Sequence, residues 1–214
     1  MRLGVPLAAA CLAVSGGCQT FGTKPGMVDP AAARAAQRER AAALGLASGE
    51  CMVPGWVMTG RVALSNGKQG GSGQLEWTQG VGALRMLLSA PITRQNWMLE
   101  VDAEGRASLQ GLADGPLVGD DAAQLIREAT GWDIPVAALG CWLRGIAAAE
   151  AALGTAQVAF RADLLPVRIV QGGWTVDYSG WKPDPFTRLP MPSRINAQRG
   201  EDRVRLVVDR WGLE

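Results

Sequence analysis

GRVALS (60–65) opens a run of apolar segments that continues through LEWTQG (75–80), LRMLL (84–88) and WMLEV (97–101). Apolar and polar residues alternate within these segments, and alternation with a period of two is typical of strands that bury one face. The Asn66-Gly67 pair after the first segment is a hairpin signal. This part of the sequence therefore predicts an antiparallel meander with one large apolar face. Such a face needs a cover or a ligand.

The predicted apolar face supplies most of the side chains that we expect around a hydrophobic cavity. The expected cavity residues are Leu75, Trp77, Leu84, Met86, Leu88, Trp97 and Leu99 on the strands, and Leu139, Trp142 and Leu143 on a later helix. For any one of them, packing into a dry core is the ordinary alternative. The set as a whole favours a cavity, because the chain has 8 Trp but only 3 Phe and 1 Tyr.

The rest of the chain predicts helices on one side of a curled sheet. Asp29-Pro30 fits an N-cap followed by proline at the first helical position, so we predict a helix over residues 31–44. Apolar residues spaced three and four apart predict two short amphipathic helices within 119–131 and 134–145, which form a lid. Alternation returns after residue 156. We predict a mainly β fold (α+β) of about nine or ten antiparallel strands with a helical insert.

The N-terminus is typical of an exported, lipidated protein. Residues 1–17 combine a basic start, a short apolar run and small residues, which is the pattern of a secretory signal peptide. The small residues precede Cys18 as in a bacterial lipobox, so we predict a lipidated Cys18; a secreted protein without lipid is the alternative. Gln19 stands where Asp favours the inner membrane, so we expect the outer membrane. Residues 18–28 then form a tether and 29–214 one domain.

Composition argues against several classes of function. The 21 Lys and Arg balance 20 Asp and Glu and are scattered along the chain, so we expect no nucleic-acid partner. The chain has no His, which rules out Ser-His-Asp, Cys-His and His-metal chemistry. The S-x-x-K spacing of SNGK (65–68) falls on a turn rather than at a helix start, and no phosphate-binding motif is present. We expect no enzyme activity, no cofactor and no metal site.

Several segments of the sequence occur in the order and spacing of a known family. They are LEWTQ (75–79), the segment from Leu87 to Ile92, the helix containing Trp142, and GWTVDY (173–178). With them the chain resembles, over residues 56–211, the family of the outer-membrane lipoprotein LolB, the lipoprotein receptor of the Lol pathway. The resemblance implies an unclosed antiparallel β-barrel with a helical lid, as in LolA and LolB. The resemblance further implies that the barrel encloses a hydrophobic cavity. Such a protein receives the acyl chains of lipoproteins there from the periplasmic carrier LolA and then delivers the lipoprotein to the outer membrane.

The resemblance also implies a loop that engages the membrane. In this family an apolar residue, usually Leu after Pro, stands at the tip of a loop after the third strand. By position that residue is Ile92, which follows Pro91, while Thr93 stands where the family usually has Gly. The expected partners are a LolA-like carrier, acylated lipoprotein cargo and outer-membrane lipid. We expect a monomer anchored to the outer membrane and facing the periplasm.

Two questions stay open at the level of sequence. An oxidising periplasm permits a disulfide between Cys51 and Cys141, but the sequence does not show whether the two are adjacent. The alternative function is that of an anchored structural or assembly lipoprotein whose sheet is filled by its own side chains. A bound fatty acid distinguishes the two functions, because a filled core leaves no room for it.

Overall fold

The computed structural model describes residues 29–46, 51–53, 55–81, 83–90 and 95–213. Cys18 and Ile92 lie outside the described residues, as do the signal peptide and the tether. The strands are β1 (Trp56–Ser65), β2 (Gly70–Gly80), β3 (Ala83–Ala90), β4 (Gln95–Val101), β5 (Ala107–Gln110), β6 (Leu117–Gly119), β7 (Gln157–Phe160), β8 (Pro166–Gln171), β9 (Trp174–Pro183), β10 (Pro190–Arg199) and β11 (Asp202–Leu213). The helices are α1 (Pro30–Ala43), α2 (Ala122–Thr130), α3 (Val136–Trp142) and α4 (Glu150–Leu153).

All the strands belong to one antiparallel sheet. Their order is β6-β5-β4-β3-β2-β1-β11-β10-β9-β8-β7, so two meanders meet where β1 pairs with β11. The edge strands β6 and β7 are not paired with each other. The predicted unclosed antiparallel barrel with a helical lid is therefore confirmed.

The sheet bends at the seam between its two halves. The register of β1 against β11 shifts between Thr59 and Gly60, which is the position of a β-bulge. A Cβ atom on Gly60 would lie 2.6 Å from the carbonyl oxygen of Val207, so only glycine fits at this close approach. The bulge and the glycine together let the central strands curl.

Local capping explains where the longer helices begin and end. The carboxylate of Asp29 accepts hydrogen bonds from the N–H groups of Ala31 and Ala32 at the start of α1. Asp121 caps α2 in the same way, and Gly131 ends it in the left-handed conformation. The predicted helices are thus confirmed, with bounds shifted by a few residues. None of the described helices is both long and apolar enough to cross a membrane.

Two features differ from the sequence-based prediction. The described residues form eleven strands rather than nine or ten. The short strand β6 lies directly before the predicted start of the lid, and its three residues are too few for alternation to be visible. We predicted no helix or strand for the alanine-rich segment after residue 146. The structure places the short helix α4 there.

Candidate functional site: an apolar cavity under a helical lid

A cavity of about 110 Å³ lies between the central strands and the lid. Six strands supply its sheet wall, namely Val62 and Leu64 (β1), Leu75 and Trp77 (β2), Met86 and Leu88 (β3), Trp174 and Val176 (β9), Ile195 and Ala197 (β10), and Val204 and Leu206 (β11). The lid supplies Ile134, Pro135, Leu139, Trp142 and Leu143. None of these side chains carries a charge, so the cavity suits hydrocarbon.

The register of the strands explains why these side chains share one face. Leu64 pairs with Val204, which in turn pairs with Ala197 and, through it, with Val176. Directly paired residues of neighbouring strands point to the same side of a sheet. Alternation along each strand and pairing across strands therefore build one continuous apolar wall.

Seven of the ten residues expected around a cavity line this one. The other three are Leu84, Trp97 and Leu99, which lie on β3 and β4 but do not line it. Leu84 and Leu99 are fully buried in the core, while Trp97 is half-buried and packs against that core. The period of two assigns a side chain to a face, but it does not tell how far along the strand the lid reaches.

The sequence-based prediction omitted two thirds of the sheet wall. The omitted residues are those of β9, β10 and β11, together with Val62 and Leu64 of β1. Their alternation is visible in the sequence, for example in Trp174-Thr175-Val176. What the sequence does not show is the pairing of β1 with β11, which joins the two meanders into one face.

The C-terminal end of α3 is fixed covalently. Cys141 forms a disulfide with Cys51, which lies in the segment before β1, so the two cysteines are bonded. Arg144, only 3% exposed, donates to the carbonyl oxygens of Gly140 (2.8 Å) and Cys51 (3.0 Å). Its guanidinium also lies 4.6 Å from the ring centroid of Trp56, a cation–π distance.

Buried hydrogen bonds tie the same end of the lid to the sheet. The hydroxyl of Tyr178 on β9 donates to the carbonyl oxygen of Trp142 at 2.7 Å. The indole N–H of Trp142 donates to Oε1 of Gln171 on β8 at 3.2 Å. Gln171 Oε1 also accepts from the N–H of Ala148 at 2.9 Å. This end of the lid therefore rests on two strands of the C-terminal meander.

Helix α1 holds the turn after α3. Arg40 Nε donates to the carbonyl oxygen of Arg144 at 2.7 Å. The side chain of Gln37 donates to the carbonyl oxygen of Gly145 (3.2 Å) and accepts from the N–H of Ala147 (2.8 Å). Residues 144–147 are thus bonded to a helix that lies outside the lid.

Burial changes the protonation equilibria of this network. It lowers the pKa of Arg40 to about 10. It lowers the pKa of Arg144 to about 10 as well, and the nearby charge of Arg40 adds to that shift. Both guanidiniums still carry their charge at neutral pH. Burial raises the pKa of Tyr178, so its hydroxyl stays protonated and keeps donating.

The segment before α3, at the other end of this helix, is held by ion pairs of half-exposed side chains. The carboxylate of Asp133 pairs with Arg199 of β10 and, at 3.9 Å, with Arg127 of α2. Arg199 also donates to the carbonyl oxygen of Asp133 at 3.0 Å and lies 5.2 Å from the ring centroid of Trp174. We call residues 131–135 and the strand ends around them the mouth of the cavity.

A curved open sheet, a helical lid and an uncharged apolar cavity define a class of protein: the unclosed β-barrels that enclose a site for hydrophobic chains. The model of the family "Outer membrane lipoprotein LolB" matches residues 54–211. The chain belongs to this family. Outer-membrane lipoprotein LolB of Xanthomonas campestris pv. campestris strain B100 is 44% identical over 161 residues, 75% of this chain and 73% of the relative. The LolB of Xylella fastidiosa is 39% identical over 158 residues, 74% and 71% of the two chains.

Solved structures give more distant similarities. A LolA superfamily protein from Nitrosomonas europaea covers 75% of this chain and 86% of its own, with a TM-score of 0.46 and 9% identity. A putative outer membrane lipoprotein-sorting protein domain from Vibrio parahaemolyticus covers 84% and 91%, with a TM-score of 0.45 and 10% identity. Both are too distant to bear on function. The family carries the assignment: this is an outer-membrane lipoprotein with the function of lipoprotein receptor in the Lol pathway.

Proposed function

We propose that the protein takes the acyl chains of a lipoprotein from a LolA-like periplasmic carrier into the cavity under the lid and then inserts the cargo into the outer membrane. The observation that carries this proposal is the cavity itself, an uncharged apolar space formed by six strands and α3. A sheet filled by its own side chains, as in a purely structural lipoprotein, leaves no such space.

The energetics of acyl chains require a protected route. Burial of each methylene group is worth about 0.8 kcal/mol, so exposing the chains of a triacylated lipoprotein to water costs on the order of tens of kcal/mol. Transfer therefore proceeds from cavity to cavity and from cavity to bilayer. The direction of transfer follows because the affinity for acyl chains increases from the carrier to this protein and from this protein to the membrane. No nucleotide is needed.

The size of the cavity indicates that the described state is closed. At about 110 Å³ it is smaller than the ~300–1,000 Å³ of pockets that enclose drug-sized ligands. Several acyl chains fit only when lid and sheet move apart. The proposal thus includes an opening step, in which the end of the lid with the weaker attachments moves.

Two further parts of the proposal concern residues outside the described ranges. Cys18, after removal of residues 1–17, carries the lipid anchor, and residues 18–28 tether the domain of residues 29–214 to the membrane. Ile92, an apolar residue after Pro91, engages the bilayer when cargo is released. Replacing Ile92 by Glu leaves cargo uptake intact and impairs delivery; equal delivery by this variant removes Ile92 from the mechanism.

A transfer assay tests the central proposal. The soluble form with Cys18→Ala is mixed, without ATP, with a carrier loaded with a radiolabelled lipoprotein, and the label on each protein is measured. We expect the label to move to this protein. Ala197→Phe, which places a large ring in the cavity wall, should reduce uptake at least tenfold, because the chains lose their space.

Ala63→Phe is the matched control. Ala63 lies on the exposed side of β1, so the same substitution there leaves the cavity unchanged and should leave uptake near the wild-type level. If the folded wild-type protein takes no label, the receptor proposal is wrong. If both variants take label equally well, transfer occurs without this cavity.

A further inference from the structure

We propose that the mouth of the cavity binds the ester carbonyl groups of a diacylglyceryl lipid through the indole N–H groups of Trp132 and Trp174. The inference rests on the proposed function, since it assumes that acyl chains occupy the cavity. It adds the chemical class of the group at the polar end of those chains.

A small recess continues the cavity towards the mouth. The recess and the cavity share Leu64, Ile134, Trp174 and Val204, so the two spaces adjoin. Trp132 lines the recess opposite the strands. Chains that enter the cavity from the mouth pass these two indoles.

Both indoles carry a donor without an acceptor. Nε1 of Trp132 and Nε1 of Trp174 are buried, and neither has a hydrogen-bond partner within the described part of the chain. Trp174 is only 2% exposed, so water does not reach it in this state. A buried donor without a partner destabilises the structure, and tryptophan N–H groups usually find an acceptor when buried.

Two other tryptophans in the described part of the chain have the usual arrangement, in which the indole N–H donates to an acceptor. Trp142 donates to Gln171 at 3.2 Å, and Trp211 donates to the carbonyl oxygen of Pro192 at 2.8 Å. Trp77, in the cavity wall, shares the unpaired state of the mouth indoles. Trp56 and Trp181 are unpaired too, but they do not line the cavity.

The chemistry of the cavity wall selects the kind of acceptor. The wall takes alkyl chains, so the polar linkage of a diacylglyceryl group has to lie where the chains leave the cavity. An ester carbonyl accepts hydrogen bonds and donates none, which matches the two unpaired indole donors. Ser65, Asp202 and Arg203, which also line the recess, place a hydroxyl, a carboxylate and a cation beside the glycerol.

Paired lipids that differ only at this linkage test the inference. Binding of dipalmitoylglycerol and of its dihexadecyl ether analogue to the Cys18→Ala protein is measured by displacement of a fluorescent fatty acid. Carbonyl oxygens accept far better than ether oxygens, so we expect the wild type to bind the ester about tenfold more tightly. Trp132→Phe with Trp174→Phe should abolish this preference and leave ether binding unchanged.

Trp181→Phe is the control, because it removes an unpaired indole away from the cavity and should retain the preference. Equal wild-type affinity for both lipids, or an undiminished preference in the double variant, overturns the ester site while leaving the cavity proposal standing. Binding of neither lipid overturns the cavity proposal and the ester site with it. If the double variant does not fold, NMR spectra of the wild-type protein with 15N-labelled indoles test the ester site instead. The ester lipid must then shift the N–H resonances of Trp132 and Trp174 but not that of Trp181.

Discussion

The two ends of α3, the lid helix that lines the cavity, are attached in very different ways. The end after α3 has a disulfide, a buried arginine and hydrogen bonds to β8, β9 and α1. The end before α3 is held by ion pairs of Asp133, whose side chain is 45% exposed. Exposed ion pairs contribute only about 0–1 kcal/mol, whereas a disulfide contributes about 2–5 kcal/mol. Under the proposed opening step, this difference places the hinge at the first end and the opening at the mouth.

Removal of the disulfide should have the largest effect on stability of the changes considered, because it removes the covalent attachment of α3. Cys51→Ala with Cys141→Ala frees the fixed end, and we expect the free energy of unfolding to fall by about 2–5 kcal/mol. Urea unfolding of the Cys18→Ala protein measures the change. The reduced parent protein serves as a control and should match the double variant. Unchanged stability in both would show that the noncovalent contacts alone fix this end.

A second substitution tests how closely α3 approaches the segment before β1. A Cβ atom on Gly140 would lie 2.2 Å from the carbonyl oxygen of Cys51. Gly140→Ala should therefore destabilise by about 1–3 kcal/mol through steric conflict, although alanine favours helices by up to about 1 kcal/mol. The control is Gly71→Ala, where no atom lies within 4 Å of the added Cβ. Stabilisation by Gly140→Ala would contradict the close contact.

The single tyrosine of the chain reports on the buried bond to the lid. Tyr178→Phe removes the hydrogen bond to Trp142 and should cost about 0.5–1.5 kcal/mol at neutral pH. Burial raises the pKa of Tyr178, so the folded protein keeps this proton where the unfolded chain loses it. The stabilisation is complete below the unfolded pKa of about 10 and is lost as pH rises above that value, by about 1.4 kcal/mol per unit.

The pH dependence is measured as the stability difference between wild type and Tyr178→Phe. That difference should decrease above pH ~10. The lowered pKa values of Arg40 and Arg144 act in the opposite direction, because the folded state then releases these protons first. The contribution of Arg144 is common to both proteins and cancels in the comparison, whereas the charge of Arg40 is coupled to Tyr178 and forms part of the measured difference. Tyrosinate absorbance that appears in the folded protein near pH 10 would contradict the burial.

The smallest effect on stability is expected at the mouth. Asp133→Asn breaks the pairs with Arg199 and Arg127, and we expect unfolding to change by less than about 1 kcal/mol. Uptake of a fluorescent fatty acid should nevertheless become several-fold faster, because less holds the mouth closed. Asp209→Asn is the control, since it breaks the exposed pair with Arg61 away from the lid. Equal uptake rates in the two variants would locate the opening elsewhere.

The sequence predicted the fold better than it predicted the cavity. Alternation placed Leu75, Trp77, Met86 and Leu88 on one face, because a period of two is a local property of the chain. It could not bring Ala197 to the same cavity, because the meander that contains Ala197 joins this face only through the pairing of β11 with β1. The cavity appears only when both meanders are joined at β1 and β11.

The attachments of the lid were even less accessible from the sequence. Arg144 would ordinarily be assigned to the surface, since arginine is rarely fully buried. Its burial depends on carbonyl groups presented by the end of α3 and by Cys51, together with the ring of Trp56. Such sites depend on tertiary structure, and no spacing along the chain indicates them.

The pairing of β1 with β11 at the centre of the sheet also has a consequence for folding. The two flanking meanders consist of neighbouring strands, so each can form from local contacts. The seam joins the first and the last described strand in the sequence and so closes the longest loop, which makes it the slow step by the relation between contact order and rate. We therefore expect a transient species with two separate half-sheets and an exposed apolar face. A chaperone in the periplasm would have to cover that face until the last strand is in place.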